Sequence, residues 1–196
     1  VPDEVPIAAN AIVTGLCSGS QFWVPGGEKV LPTATCPLIK ASLGARFDKT
    51  CPFFRIADLF VGETTCDGKK KAWEILGEDA PMYIMDIPQL KTEDDFLKWE
   101  KEIKKYITKL EEMTGNKITE ESLNNAIKIV NNKRKALQRL NNFRKLDKVP
   151  ISGKDVLLIT QIAFFDDPER FATMVNKLCD ELDERVEKGV SVYKEG

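Results

Sequence analysis

Residues 59–71 read Leu59-Phe60-Val61-Gly62-Glu63-Thr64-Thr65-Cys66-Asp67-Gly68-Lys69-Lys70-Lys71, and residues 82–87 read Met82-Tyr83-Ile84-Met85-Asp86-Ile87. The apolar run over residues 56–61 predicts a buried strand. The Gly/Thr/Asp cluster at 62–68 predicts the turn at its C-terminal end. Residues 69–76 then suit a helix, and residues 82–87 a second strand. Strand, turn, helix and strand at this spacing predict a βαβ unit and therefore a parallel sheet. Binding sites in such sheets lie at the C-terminal ends of the strands, which is where Cys66 falls.

Toward the N-terminus, residues 2–10 suit a short helix and residues 11–16 a further strand, ending at Cys17. A Gly/Pro loop follows over residues 18–32, with Pro25-Gly26-Gly27 as its turn. Cys36-Pro37 opens a helix to Gly44, because proline suits the first helical position, and Cys51-Pro52 repeats the arrangement. Toward the C-terminus, Thr92 is a good N-cap, followed by Glu93, Asp94 and Asp95 in a first turn that favours acids. Phe96, Trp99, Ile103, Tyr106, Leu110 and Met113 form a narrow apolar seam ending at Gly115. Thr119 starts a second long helix, with Leu123, Ile127, Val130, Leu137 and Leu140 on one side. Ser152 or Asp155 starts a third, and Asp167-Pro168 a last one running to about Gly189. The expected fold is α/β, a Rossmann-like or flavodoxin-like parallel sheet domain over residues 1–90. A helical hairpin subdomain over residues 91–190 is expected to follow it.

The chain has 196 residues, 42% apolar and 31% charged, with a net charge of −2 and no histidine. The absence of His excludes Ser–His–Asp and Cys–His catalytic units and His-ligated zinc. The charge balance gives no global bias toward nucleic acid or anionic membranes. No apolar run approaches a transmembrane span or a signal peptide. Five Cys is an odd number in a chain of this size, so a secreted disulfide scaffold is not expected and a reducing, cytoplasmic setting is.

Cys17, Cys36, Cys51 and Cys66 are separated by 18, 14 and 14 residues. Zinc sites bring cysteines in as close pairs, which are absent. Single cysteines on separate turns suit an iron–sulfur cluster, and helix N-termini behind Cys36 and Cys51 offer N–H donors to cluster sulfurs. Buried cysteines are otherwise small apolar filler, and Cys179, between Leu178 and Asp180 in mid-helix, reads as filler.

The decapeptide Gly62-Glu63-Thr64-Thr65-Cys66-Asp67-Gly68-Lys69-Lys70-Lys71 closely resembles a signature of the 2-hydroxyacyl-CoA dehydratase/benzoyl-CoA reductase family. Cys36-Pro37-Leu38-Ile39-Lys40 resembles a second one. The resemblance runs to about residue 190. In dehydratase subunits it implies Cys36 and Cys66 as two of three ligands to a 4Fe–4S cluster. Cys17 and Cys51 are extra, and resemble the double-cubane branch, where six cysteines hold an 8Fe–9S cluster. Four of the six would be Cys17, Cys36, Cys51 and Cys66; the others would lie in a second α/β domain, reached by a linker starting at residues 191–196. With no initial Met, the chain is expected to be about half of a two-domain subunit, inactive alone.

The first functional expectation is therefore a fragment of a low-potential double-cubane reductase acting on small molecules. The resemblance implies that an ATP-dependent 4Fe–4S activator feeds it electrons, and that the full-length form is a homodimer or heterodimer. The alternative is a dehydratase subunit performing radical dehydration of a 2-hydroxyacyl-CoA, with Cys17 and Cys51 as non-ligands. Lys40, Lys69 and Lys70 are candidates for steering an anionic substrate, or solvated surface residues. Glu63 either orients the ligand loop or caps the next helix. A third reading is a non-catalytic scaffold or binding module. Lys128, Lys133, Arg134, Lys135, Arg139, Arg144, Lys145 and Lys148 form a basic stripe that would suit nucleic acid or the activator. Without interleaved aromatics, nucleic acid is the less favoured partner, and the acidic last helix offers a simpler counter-charge.

Overall fold

The structure is a computed structural model that describes residues 1–193. The described chain forms two compact units. One comprises Val1–Pro2 and Gly15–Gly115; the other comprises Asp3–Thr14 and the chain from Asn116 onward.

The first unit, the sheet unit, contains helices α2 (Val24–Gly27), α3 (Pro37–Phe47), α4 (Phe53–Ile56), α5 (Asp67–Gly77) and α6 (Glu93–Thr114). Its strands are β1 (Phe60–Glu63) and β2 (Met82–Met85). They pair in parallel, with Phe60 opposite Met82 and Glu63 opposite Met85. The βαβ unit is thus present, with β1 displaced toward the signature turn. Gly62 sits inside β1 because a Cβ there would lie 2.6 Å from the Trp73 indole and 2.6 Å from the Met82 methyl. Trp73 Nε1 instead donates to the Glu63 carbonyl at 3.1 Å, which fastens α5 across the strand.

The sheet has two strands among the described residues, so it is parallel α/β without the extended Rossmann-like order expected. Residues 11–16 form no strand; Ile12 is 98% exposed and finds no strand to pair with. The Gly/Pro stretch is also more ordered than a loop. It holds a 3₁₀ turn over Gln21–Trp23 and then α2, whose Pro25 sits in the first turn.

The core of this unit is Leu31, Leu43, Phe54, Phe60, Trp73 and Leu76, with Cys51 among them. Helix α6 begins with the expected capping box, Thr92 and Asp95 exchanging hydrogen bonds, and ends at Gly115 in the left-handed region with φ 71°. Its apolar seam is buried only in the middle. Tyr106 and Leu110 are buried while Phe96 and Met113 are exposed. Tyr106 stacks on Tyr83 of β2 at 5.4 Å, and the buried Glu102 accepts from the Tyr83 hydroxyl at 3.3 Å. These contacts join α6 to the sheet.

The second unit, the helical unit, holds α1 (Glu4–Ala8), α7 (Glu120–Asn142), α8 (Gly153–Ile162) and α9 (Pro168–Glu187). Thr119, Ser152 and Asp167 cap α7, α8 and α9 as expected. The core consists of Ala136, Leu140 and Phe143 of the α7 region against Phe171, Val175, Cys179 and Leu182 of α9. The buried face of α7 is Ala126, Val130, Ala136 and Leu140, and Ile127 is left 37% exposed. Helix α6 belongs to the sheet unit, and α7 packs on α9 and α1 within the helical unit. The sheet unit ends at Gly115 and the helical unit resumes at Asn116. The expected linker at 191–196 extends into residues 194–196, which lie outside the described residues.

Candidate thiol site on the sheet unit

The signature turn leaves the C-terminal end of β1 and enters α5. Thr64 continues the sheet for one step, its N–H donating to the Met85 carbonyl at 3.2 Å. Its hydroxyl donates to Asp86 at 2.8 Å and accepts from the Ile87 N–H at 3.0 Å. The turn is therefore stitched to the residues that follow β2. Thr64, Asp86 and Trp73 were not singled out by sequence, because each role depends on a partner remote in the chain.

Cys66 is the N-cap of α5, and its sulfur accepts from the Lys69 N–H at 3.4 Å. Sulfur here fills the place of the usual capping oxygen. Cys66 is exposed, and so is Cys36, the N-cap of α3, with Pro37 following it. The two caps belong to packed helices. Gly68, two residues past Cys66, lies against Thr35 and Ile39, the near neighbours of Cys36 on either side. A Cβ on Gly68 would stand 2.9 Å from Ile39 Cδ1, so the glycine permits this approach. The structure brings two free thiols to adjoining helix N-termini, where unpaired backbone N–H groups and the positive dipole ends favour negative charge.

Cys17 and Cys51 are placed differently. They are joined to each other as a disulfide across 34 residues, with Cα atoms 6.5 Å apart. This spacing is ordinary for the bond. The sequence reading offered both cysteines as candidate cluster ligands and did not anticipate this pairing. Trp23 Nε1 donates to Thr50 Oγ1 at 2.6 Å, a second tie between the same two segments. Cys51 is buried in the core at 1% exposure. The four sequence candidates thus divide into two exposed thiols and one linked pair. Among the described residues, no three Cys, Asp, Glu or His side chains gather into a metal-holding group. Cys36 and Cys66 are the two free, exposed thiols of the four candidates, and they do not by themselves form a complete ligand set for a metal or cluster.

The lysines are committed to partners. Lys40 is buried; its ammonium donates to Glu28 Oε1 at 2.6 Å and to the Thr33 carbonyl at 2.7 Å. It holds the segment leading into Cys36, and is not presented to solvent where a substrate would meet it. Lys69 pairs with Glu63, whose carboxylate also accepts from the Thr65 hydroxyl at 3.3 Å. Glu63 thus ties the two ends of the cysteine turn, and the helix cap is Cys66. Lys70 pairs loosely with Asp67 at 3.3 Å on the surface.

Two residues of the basic stripe, Arg134 and Arg139, meet counter-charges in the helical unit. Arg139 reaches Asp180 and Asp183 of α9 at 2.7 Å each, and Arg134 reaches Glu4 at 2.6 Å. Arg144 and Lys145 bond Asn141 and Asn142. Cys179 is fully buried against α7, and burial pushes its thiol up. It is filler, as its position in the sequence implies. No helix among the described residues is long and apolar enough to cross a membrane.

The Escherichia coli (strain K12) protein named "Putative dehydratase subunit YjiM" is 39% identical over 166 residues, 84% of this chain and 43% of that protein. The (R)-phenyllactyl-CoA dehydratase beta subunit of Clostridium sporogenes is 25% identical over 190 residues, 92% of this chain and 48% of that protein. The chain spans about half the length of these relatives. Its residues 1–196 match the family described as 2-hydroxyglutaryl-CoA dehydratase, D-component, and the chain belongs to that family.

Proposed function

We propose that the chain is the thiol-bearing half of a 2-hydroxyacyl-CoA dehydratase component. In this reading Cys36 and Cys66 ligate a 4Fe–4S cluster, and the substrate is a 2-hydroxyacyl thioester. The observation that carries it is the pair of exposed thiols capping two packed helices, in a chain whose relatives are named as dehydratase subunits. These comparisons favour the dehydratase over the double-cubane reductase. The Cys17–Cys51 linkage points the same way, because it leaves two sulfurs of the four for ligation.

When bound, the cluster supplies one-electron chemistry. The chain's own residues hold and tune it. The Lys69 N–H directs a hydrogen bond at the Cys66 sulfur, which stabilises negative charge there. Lys69 and Glu63 neutralise each other beside it and fix the turn. Lys40 and Glu28 hold the approach to Cys36. Two sulfurs leave the remaining iron positions to ligands outside the described residues or to substrate. An ATP-dependent activator would be the electron source.

Anaerobic reconstitution with iron and sulfide tests the reading. The expected result is about four iron and four labile sulfide per chain. Cys36→Ser or Cys66→Ser should abolish the 400 nm absorbance, and Cys17→Ser and Cys51→Ser should leave the iron count unchanged. Equal loss of iron in all four variants would restore the double-cubane assignment. A colourless chain that takes up zinc would overturn both.

A further inference from the structure

The turn that carries Cys66 is tied by side chains at each of its residues, and most of the ties are local. Glu63 pairs with Lys69 and accepts from the Thr65 hydroxyl, and the Cys66 sulfur accepts from the Lys69 N–H. Trp73 holds the Glu63 carbonyl from the helix that the turn itself starts. Thr64 is different. Its hydroxyl donates to Asp86 Oδ1, 22 residues along the chain, and accepts from the Ile87 N–H, 23 residues along. Among the described residues, Asp86 is the side chain whose hydrogen bond refers this turn to the neighbouring strand.

Thr64 can pass that anchor on because it is fixed twice. Its N–H donates to the Met85 carbonyl at 3.2 Å, which holds the backbone. Its two hydroxyl bonds, at 2.8 and 3.0 Å, select one rotamer of a β-branched side chain. The partner side is stiff as well. Ile87 precedes Pro88, which confines it to extended conformations and aims its N–H. Cys66 follows two residues after Thr64, with φ −152° and ψ 159°. Two residues span at most about 7 Å, so a tilt of about 10° at Thr64 carries the Cys66 end by about 1 Å. A ligating or catalytic group tolerates about 0.5 Å.

From this geometry we propose that Asp86 is a positioning residue for Cys66: acting through the Thr64 hydroxyl, it sets where the sulfur stands. The consequence for a cluster rests on the dehydratase reading. The control of the sulfur's position does not, and the experiment separates the two.

Amide hydrogen exchange of the whole metal-free chain under argon, followed residue by residue by NMR, is the first arm. The Lys69 N–H is the probe, because it bonds the Cys66 sulfur and is not bonded by Asp86. Asp86→Ala and Thr64→Val should each speed its exchange about tenfold, the scale of one lost hydrogen bond. Asp86→Asn keeps the acceptor and Thr64→Ser keeps the hydroxyl, so both should stay within about threefold of the parent. These two conservative variants also guard against a general loss of fold, which circular dichroism reads directly. Lys69 exchange unmoved by Asp86→Ala and Thr64→Val overturns the proposal, since the bond would then only close the strand ends. Asp86→Asn behaving like Asp86→Ala overturns it too, because charge rather than the bond would matter.

Iron retention after anaerobic reconstitution is the second arm. Asp86→Ala should lose its visible absorbance to an iron chelator about tenfold faster than the parent, with Asp86→Asn close to the parent. Equal loss rates in all three chains overturn the role at the cluster. A parent chain that takes up no iron sinks the dehydratase reading, and the exchange of the Lys69 N–H then decides the positioning of Cys66 by itself.

Discussion

Cysteine occurs in both units, and the two settings are opposites. In the sheet unit, Cys36 and Cys66 stand at the first positions of α3 and α5, exposed and beside unpaired N–H groups. In the helical unit, Cys179 stands in the middle of α9, fully buried between α7 and α9, where every backbone donor is already used. A thiol at a helix start is available for ligation because the helix has donors to spare there. A thiol in mid-helix is packing volume. Position within an element separates the two uses of one residue type.

The largest expected contrast between the units is therefore chemical. With the chain native and unreduced, a thiol-specific aromatic disulfide reagent should titrate Cys36 and Cys66 rapidly. Cys179 should react at least about a thousandfold more slowly, since it must wait for the helical unit to open. Cys17 and Cys51 should count only after reduction. Fast labelling of Cys179 in the native chain would break the comparison.

Next in size is the effect of a core truncation in the helical unit. Leu182 is fully buried on α9, and Leu182→Ala should cost about 3 kcal/mol in urea denaturation. The same variant should leave the labelling rates of Cys36 and Cys66 unchanged. A loss below about 1 kcal/mol would mean that the α7–α9 packing is looser than described.

A smaller effect distinguishes the sheet unit by pH. Burial and then the Glu102 carboxylate push the Tyr83 phenol up to about 12 from its ordinary 10.0. The folded chain keeps a proton that the unfolded chain releases. This contribution to stability is complete below about pH 10 and is lost as pH rises toward about 12. The phenolate absorbance that disappears in Tyr83→Phe should have its midpoint near the higher value. Glu102→Gln should move that midpoint down without returning it to the ordinary one. A midpoint near 10 in the parent chain would remove Glu102 from the account.

Much of this was legible in the residues because it is local. Thr92, Thr119, Ser152 and Asp167 each start a helix through a bond to a residue three positions on, so the caps can be read without a fold. The parallel pairing of β1 and β2 followed from a βαβ pattern contained in fewer than thirty residues. The helix starts that present Cys36 and Cys66 followed from Cys-Pro and from the Gly-rich signature. The strand expected at residues 11–16 failed because an apolar run becomes a strand only when another strand lies beside it.

Long-range partners were invisible for the same reason. Lys40 and Glu28 are twelve residues apart, and nothing in either neighbourhood reveals that the ammonium is buried against the carboxylate. Arg139 and its acidic partners on α9 are about forty apart; the sequence offered the acidic last helix as a counter-charge, and the fold selected Asp180 and Asp183 from it.

The amino-acid sequence alone established the family resemblance, the helix boundaries and the two cysteines that cap helices, because motifs, caps and turns act over a few residues. Tertiary structure decided which cysteines face solvent and which pair with each other. It also decided that α7 packs on α9, and that Asp86 meets Thr64. Those outcomes depend on which surfaces meet when the chain closes on itself, and no local spacing encodes that.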